Sequence, residues 1–303
     1  MAQSHGHAHG PASYGRAFAI GIALNLGFVI VEAGFGIVAG SLALVADAGH
    51  NLSDVLGLVL AWGASLLVGR RPTPRRSYGL RRASILAALT NAVTLLAALG
   101  IIAWEAIGRF RHPEPVQGGP VIAVALVGIA INGATALLFL RGRNNDLNIR
   151  GAFLHMAADA AVSLGVVIAG IVILVTGWFW LDPVVSLAIV GVIFVGTWGL
   201  LRESVDLALD AAPQGTDVAA VRGYLGGLPG VAGVHDLHIW AMSTTETALT
   251  VHLVMPGGQG GDALLARIGR ELHDRFGIEH VTVQVEWDPS ASGCASAAEP
   301  PMV

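Results

Sequence analysis

The chain has 303 residues, of which 54% are hydrophobic and only 13% are charged, whereas soluble domains carry about 25% charged residues. This composition excludes an ordinary soluble protein and predicts an integral membrane protein. The net charge of −4 gives no sign of a nucleic-acid partner. The single cysteine, Cys294, excludes a disulfide framework within one chain and any cysteine-based zinc finger.

Six apolar segments are long enough to cross a bilayer, which takes about 20 residues of helix. They run over Ala17–Ala39, Leu42–Val68, Ala83–Ile107, Pro120–Leu140, Ala152–Thr176 and Trp178–Leu201. We therefore predict an α-helical membrane domain of six transmembrane helices over residues 15–201. The preceding tail, 1–14, is predicted to be cytoplasmic. Its His5, His7 and His9 either capture metal loosely or have no essential role.

The distribution of arginine predicts the orientation of this helix bundle. Eleven arginines lie before the first helix, in the second and fourth connections, or directly after the sixth helix. On the opposite side there are only two, Arg109 and Arg111. By the positive-inside rule, we expect a multi-pass protein of the cell (inner) membrane with both termini in the cytoplasm.

After Leu201 the chain becomes more polar, and residues 202–289 have the pattern of a small cytoplasmic domain. Two helical segments and three alternating segments follow in the order α-β-β-α-β, which is typical of a sheet covered by helices on one face. The last residues, 290–303, are rich in small residues and proline and predict a disordered tail.

Ionisable residues inside two of the apolar segments form a repeated pattern. His50 and Asp54 are four residues apart in the second predicted helix, and His155 and Asp159 repeat this spacing in the fifth. Each pair shares one helix face. A charged side chain costs about 2.5–3.5 kcal/mol at the centre of a membrane helix, so we interpret the two pairs as functional. The alternative is a set of buried hydrogen bonds that tie helices together.

Two histidines and two aspartates suit a tetrahedral Zn²⁺ site. The two carboxylates balance the charge of the ion, and protons are expected to replace the metal when it leaves. The sequence therefore predicts exchange of metal for protons. Asp47, three residues before His50, lies on the same helix face and is a candidate accessory residue, either for protons or for contacts around the site.

The chain resembles the cation diffusion facilitator family, in the zinc, cobalt and cadmium efflux branch with HxxxD on the second and fifth helices. The resemblance covers about residues 15–288. It rests on the motifs "SLALVADAGHNLSD", "YGLRRASILAALTNA", "WEAIGRFRHPEPV", "DLNIRGAFLHMAADAAVSLGVV", "LDPVVSLAI" and "VHDLHIWAM". It implies a homodimeric Zn²⁺ exporter that uses alternating access, with a ferredoxin-like cytoplasmic domain. It also assigns the transport ligands to His50, Asp54, His155 and Asp159.

The resemblance further implies that the cytoplasmic domain binds metal, through His235 and His252. Strand alternation adds two candidates from the last strand, His280 and Glu286, which share one face. His235 and His238 differ by three residues, so regular alternation predicts that they face opposite ways, with His238 structural.

Three other functions remain as alternatives. The first is a broader exporter of Cd²⁺, Co²⁺ or Ni²⁺. The second is an intramembrane metalloenzyme, which would need an open coordination position and commonly an HExxH motif that this sequence lacks. We therefore do not expect an enzyme. The third is a membrane metal sensor without transport.

Overall fold

The computed structural model describes residues 15–68, 72–139, 147–258 and 261–287. The predicted N-terminal tail with its three histidines, the predicted C-terminal tail and Cys294 lie outside the described residues. So does the side chain of His155, although its backbone lies in a described helix.

All six predicted helices are present, and the bounds of the first five are close to those expected. They are α1 (Gly15–Ala39), α2 (Leu42–Val68), α3 (Ala83–Arg111), α4 (Gly118–Phe139), α5 (Leu147–Thr176) and α6 (Leu181–Ala208). Among the described residues, three stretches are long and apolar enough to cross a membrane: Ala83–Arg111, Met156–Thr176 and Leu181–Ala208. The protein thus has a helical membrane domain, and a six-span topology stays a prediction.

The sixth helix differs from the prediction at both ends. Gly177 has φ 68°, a left-handed conformation that ends α5. The next three residues form a turn before α6 begins at Leu181, so Trp178 precedes the helix rather than starting it. At the other end α6 continues past Leu201 to Ala208. Hydropathy failed there because residues from Arg202 onward are polar yet still helical.

Buried polar contacts hold the beginning of α2 against the beginning of α6. The Ser41 hydroxyl donates to Asp182 Oδ1 at 2.5 Å, and the Leu42 N–H donates to Asp182 Oδ2 at 2.8 Å. Asp182 therefore satisfies a backbone donor that the first turn of a helix leaves without a partner. Arg109 also contacts this region, donating to the Gly40 carbonyl and lying 3.8 Å from Asp182 Oδ2.

Glycine permits the close packing of α4 on α5. A Cβ at Gly170 would lie 2.8 Å from Ile122 Cγ1, and a Cβ at Gly118 would lie 2.8 Å from the Gly170 carbonyl oxygen. Both distances are too short for carbon contacts, so a larger residue cannot fit without movement. The fifth helix, which carries Asp159, is therefore held tightly against α4.

The cytoplasmic part has the predicted α-β-β-α-β order. Its elements are α7 (Val218–Gly226), β1 (Gly233–Ala241), β2 (Thr247–Val254), α8 (Asp262–Phe276) and β3 (His280–Glu286). In the sheet, β2 is central, antiparallel to β1 and parallel to β3. The helices and one sheet face enclose an apolar core that includes Val221, Leu225, Leu249, Leu253, Ile268 and Leu272. The opposite face carries the histidines.

The described residues fall into two compact units. One holds those up to Val59 together with Asn91–Trp198, and the other holds those of Leu60–Thr90 and those from Gly199 onward. Within the second unit, Arg82 pairs with Asp210, and Arg81 lies 3.1 Å from Glu246. The connection between α2 and α3 therefore belongs to the same unit as the three-stranded sheet.

Candidate metal centres

Three of the four predicted intramembrane ligands lie together. Helix α2 carries His50 and Asp54 one turn apart, and α5 carries Asp159. His50 Nε2 lies 3.0 Å from Asp159 Oδ1 and 3.9 Å from Asp54 Oδ2. The candidate ligand atoms of these three residues all lie within 4.8 Å of one another.

This spacing can be compared with the requirement of a metal ion. Atoms bound to one tetrahedral zinc ion at about 2.0–2.1 Å lie about 3.3 Å apart. The observed distances bracket that value, so small side-chain movements would suffice to coordinate an ion. Asp159 is 3% exposed, which leaves its charge in need of a counter-charge. His155 lies one turn before Asp159 on α5, on the same helix face.

Asp47 is not a member of this group. It is fully buried, and Asp47 Oδ2 accepts a hydrogen bond from the Ser163 hydroxyl at 3.1 Å. Its carboxyl lies within hydrogen-bonding reach of Glu32 on α1. The structure therefore places this candidate accessory residue in a separate polar cluster, beside the three converging residues.

The second group lies on the sheet face opposite the apolar core. His235 on β1 pairs in register with His252 on β2, and their ring centroids are 5.1 Å apart. Glu286, at the end of β3, lies between them: Oε2 is 3.0 Å from His235 Nε2, and Oε1 is 2.9 Å from His252 Nδ1. Three of the four predicted cytoplasmic candidates thus meet.

His280 does not join this group. It begins β3 opposite Ala248, whereas Glu286 ends the same strand opposite Val254. Six residues of strand span about 20 Å, so His280 is on the expected face but too distant. It is exposed, and its ring contacts the edge of the Tyr78 ring at 5.6 Å.

The prediction that His235 and His238 face opposite ways is wrong. The register of β1 shifts between these residues, which pair with His252 and Thr250 on one face of β2. An inserted residue of this kind is a β-bulge and breaks the alternation. Asp236 lies in the bulge with φ 53°, and its carboxylate oxygens are 3.1 Å from His238 Nε2 and 3.4 Å from His252 Nε2.

The cytoplasmic group fits a bound zinc ion. The candidate ligand atoms of His235, His252 and Glu286 all lie within 4.8 Å of one another, so small side-chain movements would bring them to one ion. The group offers two imidazoles and a carboxylate, which are ordinary zinc ligands. His235, His252 and Glu286 would hold the ion, with Asp236 against the outer nitrogen of His252.

Sequence reasoning missed three residues around these centres. They are Ser163, Asn51 and Asp236. Ser163 follows Asp159 by four residues, so helical spacing alone could have placed it on the same face. Asn51 and Asp236 gave no comparable signal, because their roles depend on contacts with other elements.

Comparisons with known proteins agree with this architecture. Residues 18–207 match the cation efflux transmembrane domain family, and residues 213–288 match the cation efflux protein cytoplasmic domain family. Zinc transporter ZitB of Escherichia coli is 38% identical over 95% of this chain and 94% of that protein. Metal cation efflux system protein CzcD of Cupriavidus metallidurans is 34% identical over 95% of this chain and 92% of that protein.

One solved structure is also similar in sequence, the metal-bound C-terminal domain of the CzcD transporter from Cupriavidus metallidurans. It is 38% identical, covers 23% of this chain and 99% of that one, and has a TM-score of 0.22.

The family matches span nearly the whole chain, and the helices α2 and α5 carry a converging His–Asp–Asp group. The chain belongs to the cation diffusion facilitator family, whose members include the zinc, cadmium and cobalt efflux proteins to which it is similar. The family resemblance predicted from the sequence motifs is confirmed.

Proposed function

We propose that this protein exports Zn²⁺ from the cytoplasm in exchange for protons. The ion binds between α2 and α5, at a site formed by His50, Asp54, His155 and Asp159. Alternating access then exposes this site to one side of the membrane at a time. Transport rather than catalysis is the proposed activity, and Zn²⁺ at this site is the substrate.

The observation that carries the proposal is the convergence of His50, Asp54 and Asp159 from two helices of the membrane domain. Within a membrane domain such a group is expensive unless its charge is compensated. Two carboxylates neutralise one divalent ion. When the ion leaves, protons are the available replacement, and histidine and aspartate can both accept them. Exchange of metal for protons follows from this charge balance.

The remaining architecture is proposed on the family resemblance and the sequence pattern. All six helices cross the cell (inner) membrane, with both termini in the cytoplasm. The cytoplasmic domain is ferredoxin-like and contributes to a homodimer, in line with its match to a family of dimerising cytoplasmic domains. In the same domain, His235, His252 and Glu286 bind a second zinc ion, which ties β1, β2 and β3 together.

A broader exporter is the second candidate. A relative from Bacillus velezensis, 34% identical over 93% of this chain and 91% of that protein, is named a cadmium, cobalt and zinc/H⁺–K⁺ antiporter. A site built from imidazole and carboxylate also accepts several divalent metals. A broader exporter would therefore use the same site as the zinc exporter and would differ from it in the order in which it prefers the metals.

The test is metal uptake into inside-out membrane vesicles, with Zn²⁺, Cd²⁺, Co²⁺ or Mn²⁺ and with or without a pH gradient. We expect gradient-dependent Zn²⁺ uptake that is abolished in Asp54→Asn and in Asp159→Asn. Asp274→Asn, the same change at an exposed position on α8, is the matched control and should transport normally.

Two results would overturn the proposal. A rate of zinc uptake that is the same with and without a pH gradient would exclude proton exchange. Normal metal resistance in cells that carry Asp54→Asn would favour a metal sensor whose membrane part does not transport. Uptake of Cd²⁺ or Co²⁺ as fast as that of Zn²⁺ would select the broader exporter.

A further inference from the structure

Glu32 and Asp47 form a pair of buried acids beside the transport site. Neither of them is a proposed metal ligand. Glu32 on α1 and Asp47 on α2 are both 0% exposed. Each has one oxygen with a donor: Asn51 Nδ2 donates to Glu32 Oε2 at 2.8 Å, and the Ser163 hydroxyl donates to Asp47 Oδ2 at 3.1 Å. The two carboxyls thus bridge α1, α2 and α5.

The other oxygen of each carboxyl lacks a donor. Glu32 Oε1 and Asp47 Oδ1 are buried and have no hydrogen-bond partner among the described residues. The two carboxyls are nevertheless within hydrogen-bonding reach of each other. Two ionised carboxylates can only repel at this distance, whereas one added proton turns the contact into a hydrogen bond. A proton between the two acids would therefore stabilise this buried contact.

No described arginine supplies the alternative compensation. Among the described residues, no arginine forms an ion pair with Glu32 or Asp47. The titratable groups that face Asp47 are His50 on its own helix and Asp159 on α5, in addition to Glu32 on α1. On α4, Gly128 packs against this region without adding a charge. A Cβ at this position would lie 3.2 Å from the Ser163 hydroxyl and 3.3 Å from the Phe28 ring.

The position of the pair links it to the transport site through two helices. Asp47 is three residues before His50, and Ser163 is four residues after Asp159, so each lies one turn from a proposed ligand on the same helix face. A divalent ion between His50, Asp54 and Asp159 would stabilise a second negative charge on the pair through a medium of low dielectric constant. The charge of the pair and the occupancy of the metal site are therefore coupled.

We infer that Glu32 and Asp47 form a proton-binding site, separate from the metal ligands, that holds one proton shared between the two carboxyls. The proton leaves when the metal ion binds, which leaves two carboxylates. It returns from the opposite side when the ion has gone. This inference rests on the proposed function, because it assigns part of the proton countertransport to these residues.

Infrared spectroscopy of the purified full-length protein at neutral pH tests the shared proton without transport. We expect the C=O stretch of a protonated carboxylic acid in the wild type, since exposed carboxyls are ionised at that pH. Added Zn²⁺ should weaken this band. Glu32→Gln and Asp47→Asn should each lose the part of this band that the shared proton contributes, whereas the matched ligand variant Asp54→Asn should keep that part but lose its response to Zn²⁺.

Two outcomes of the same infrared measurements would overturn the inference. A wild-type spectrum without the band overturns the inference, whatever the variants show. This result needs no variant, so the inference can be tested even if a variant does not fold. A band that keeps its full wild-type intensity in both Glu32→Gln and Asp47→Asn, with elution of each as a folded species, overturns it as well.

Transport measurements separate this inference from the proposed function. In proteoliposomes, Glu32→Gln should still bind Zn²⁺ but should move about one proton fewer per zinc ion than the wild type. An unchanged ratio in Glu32→Gln, beside zinc–proton exchange in the wild type, overturns the inference alone. Wild-type protein that exchanges no protons for zinc overturns the proposed function and, with it, the transport role of the pair.

Discussion

Asp236 combines an unusual backbone conformation with contacts beside the cytoplasmic metal group. Its φ of 53° places it in the left-handed region, which aspartate and asparagine tolerate better than most residues. Its carboxylate contacts both His238 and His252. The bulge therefore brings a fourth acidic or basic group beside His235, His252 and Glu286, and regular strand alternation could not have predicted this.

Two substitutions of Asp236 separate its backbone role from its charge. Asp236→Asn keeps the conformational tolerance, so the free energy of unfolding should change by about 0.5 kcal/mol or less. Zinc affinity of the cytoplasmic group should nevertheless fall about tenfold or more, because a contact to a ligand nitrogen is weakened. Asp236→Val should lower the free energy of unfolding by about 1–2 kcal/mol. Chemical unfolding and zinc titration of the purified protein measure both effects.

The histidines and acids of the proposed transport site show how far single residues can be predicted from sequence. Because a helix repeats every 3.6 residues, two HxxxD pairs predicted two shared faces, and the structure brings Asp159 to His50 and Asp54. The pairing of Glu32 with Asp47 depends on how α1 is rotated against α2. Spacing within one helix contains no information about that rotation, so the pair became visible only in the structure.

Among the helices, α2 and α6 depend on the buried contacts of Asp182. Asp182→Ala removes the acceptor for the Ser41 hydroxyl and the Leu42 N–H, and leaves both donors buried. We expect the free energy of unfolding to fall by about 1–3 kcal/mol. Unfolding followed by tryptophan fluorescence measures this change. Asp206→Ala, the same substitution at an exposed position on α6, should have little effect, and equal losses in both variants would contradict the role of Asp182.

The close approach of α4 and α5 at Gly170 gives a second prediction for the helices. Gly170→Val places side-chain atoms against Ile122, so we expect a loss of about 1–3 kcal/mol from overpacking. Gly191→Val is the matched control, since a Cβ at this helical glycine meets no atom within 4 Å. Thermal unfolding in detergent should therefore separate the two variants. Equal destabilisation would mean that helix propensity, and not packing, sets the cost.

The ends of helices and strands were predicted well where the apolar pattern marks them. They were predicted poorly where a backbone turn or a polar helical segment sets the end. The first five helices end close to the predicted residues because each apolar segment also ends there. The sixth does not, because Gly177 ends α5 through its left-handed conformation and α6 continues through polar residues to Ala208. Hydropathy predicts whether a residue has apolar surroundings. It does not predict the residue at which the hydrogen bonding of a helix ends.

At the scale of the whole molecule, the chain places two candidate metal-binding groups in different parts of the fold. One lies between α2 and α5 in the first unit, and the other crosses all three strands in the second. Each group joins elements that are distant in sequence, so metal binding and the local fold are coupled at both places. In the proposed function, the group between α2 and α5 is the one that exchanges its ion across the membrane.

Purified protein in sealed proteoliposomes, with zinc and pH reported at the same time, tests that claim most directly. We predict that an imposed pH gradient drives Zn²⁺ in one direction while protons move in the other, and that reversing the gradient reverses both fluxes. Asp54→Asn should abolish both signals. Zinc flux without proton flux in the wild type, or full exchange in Asp54→Asn, would contradict the account.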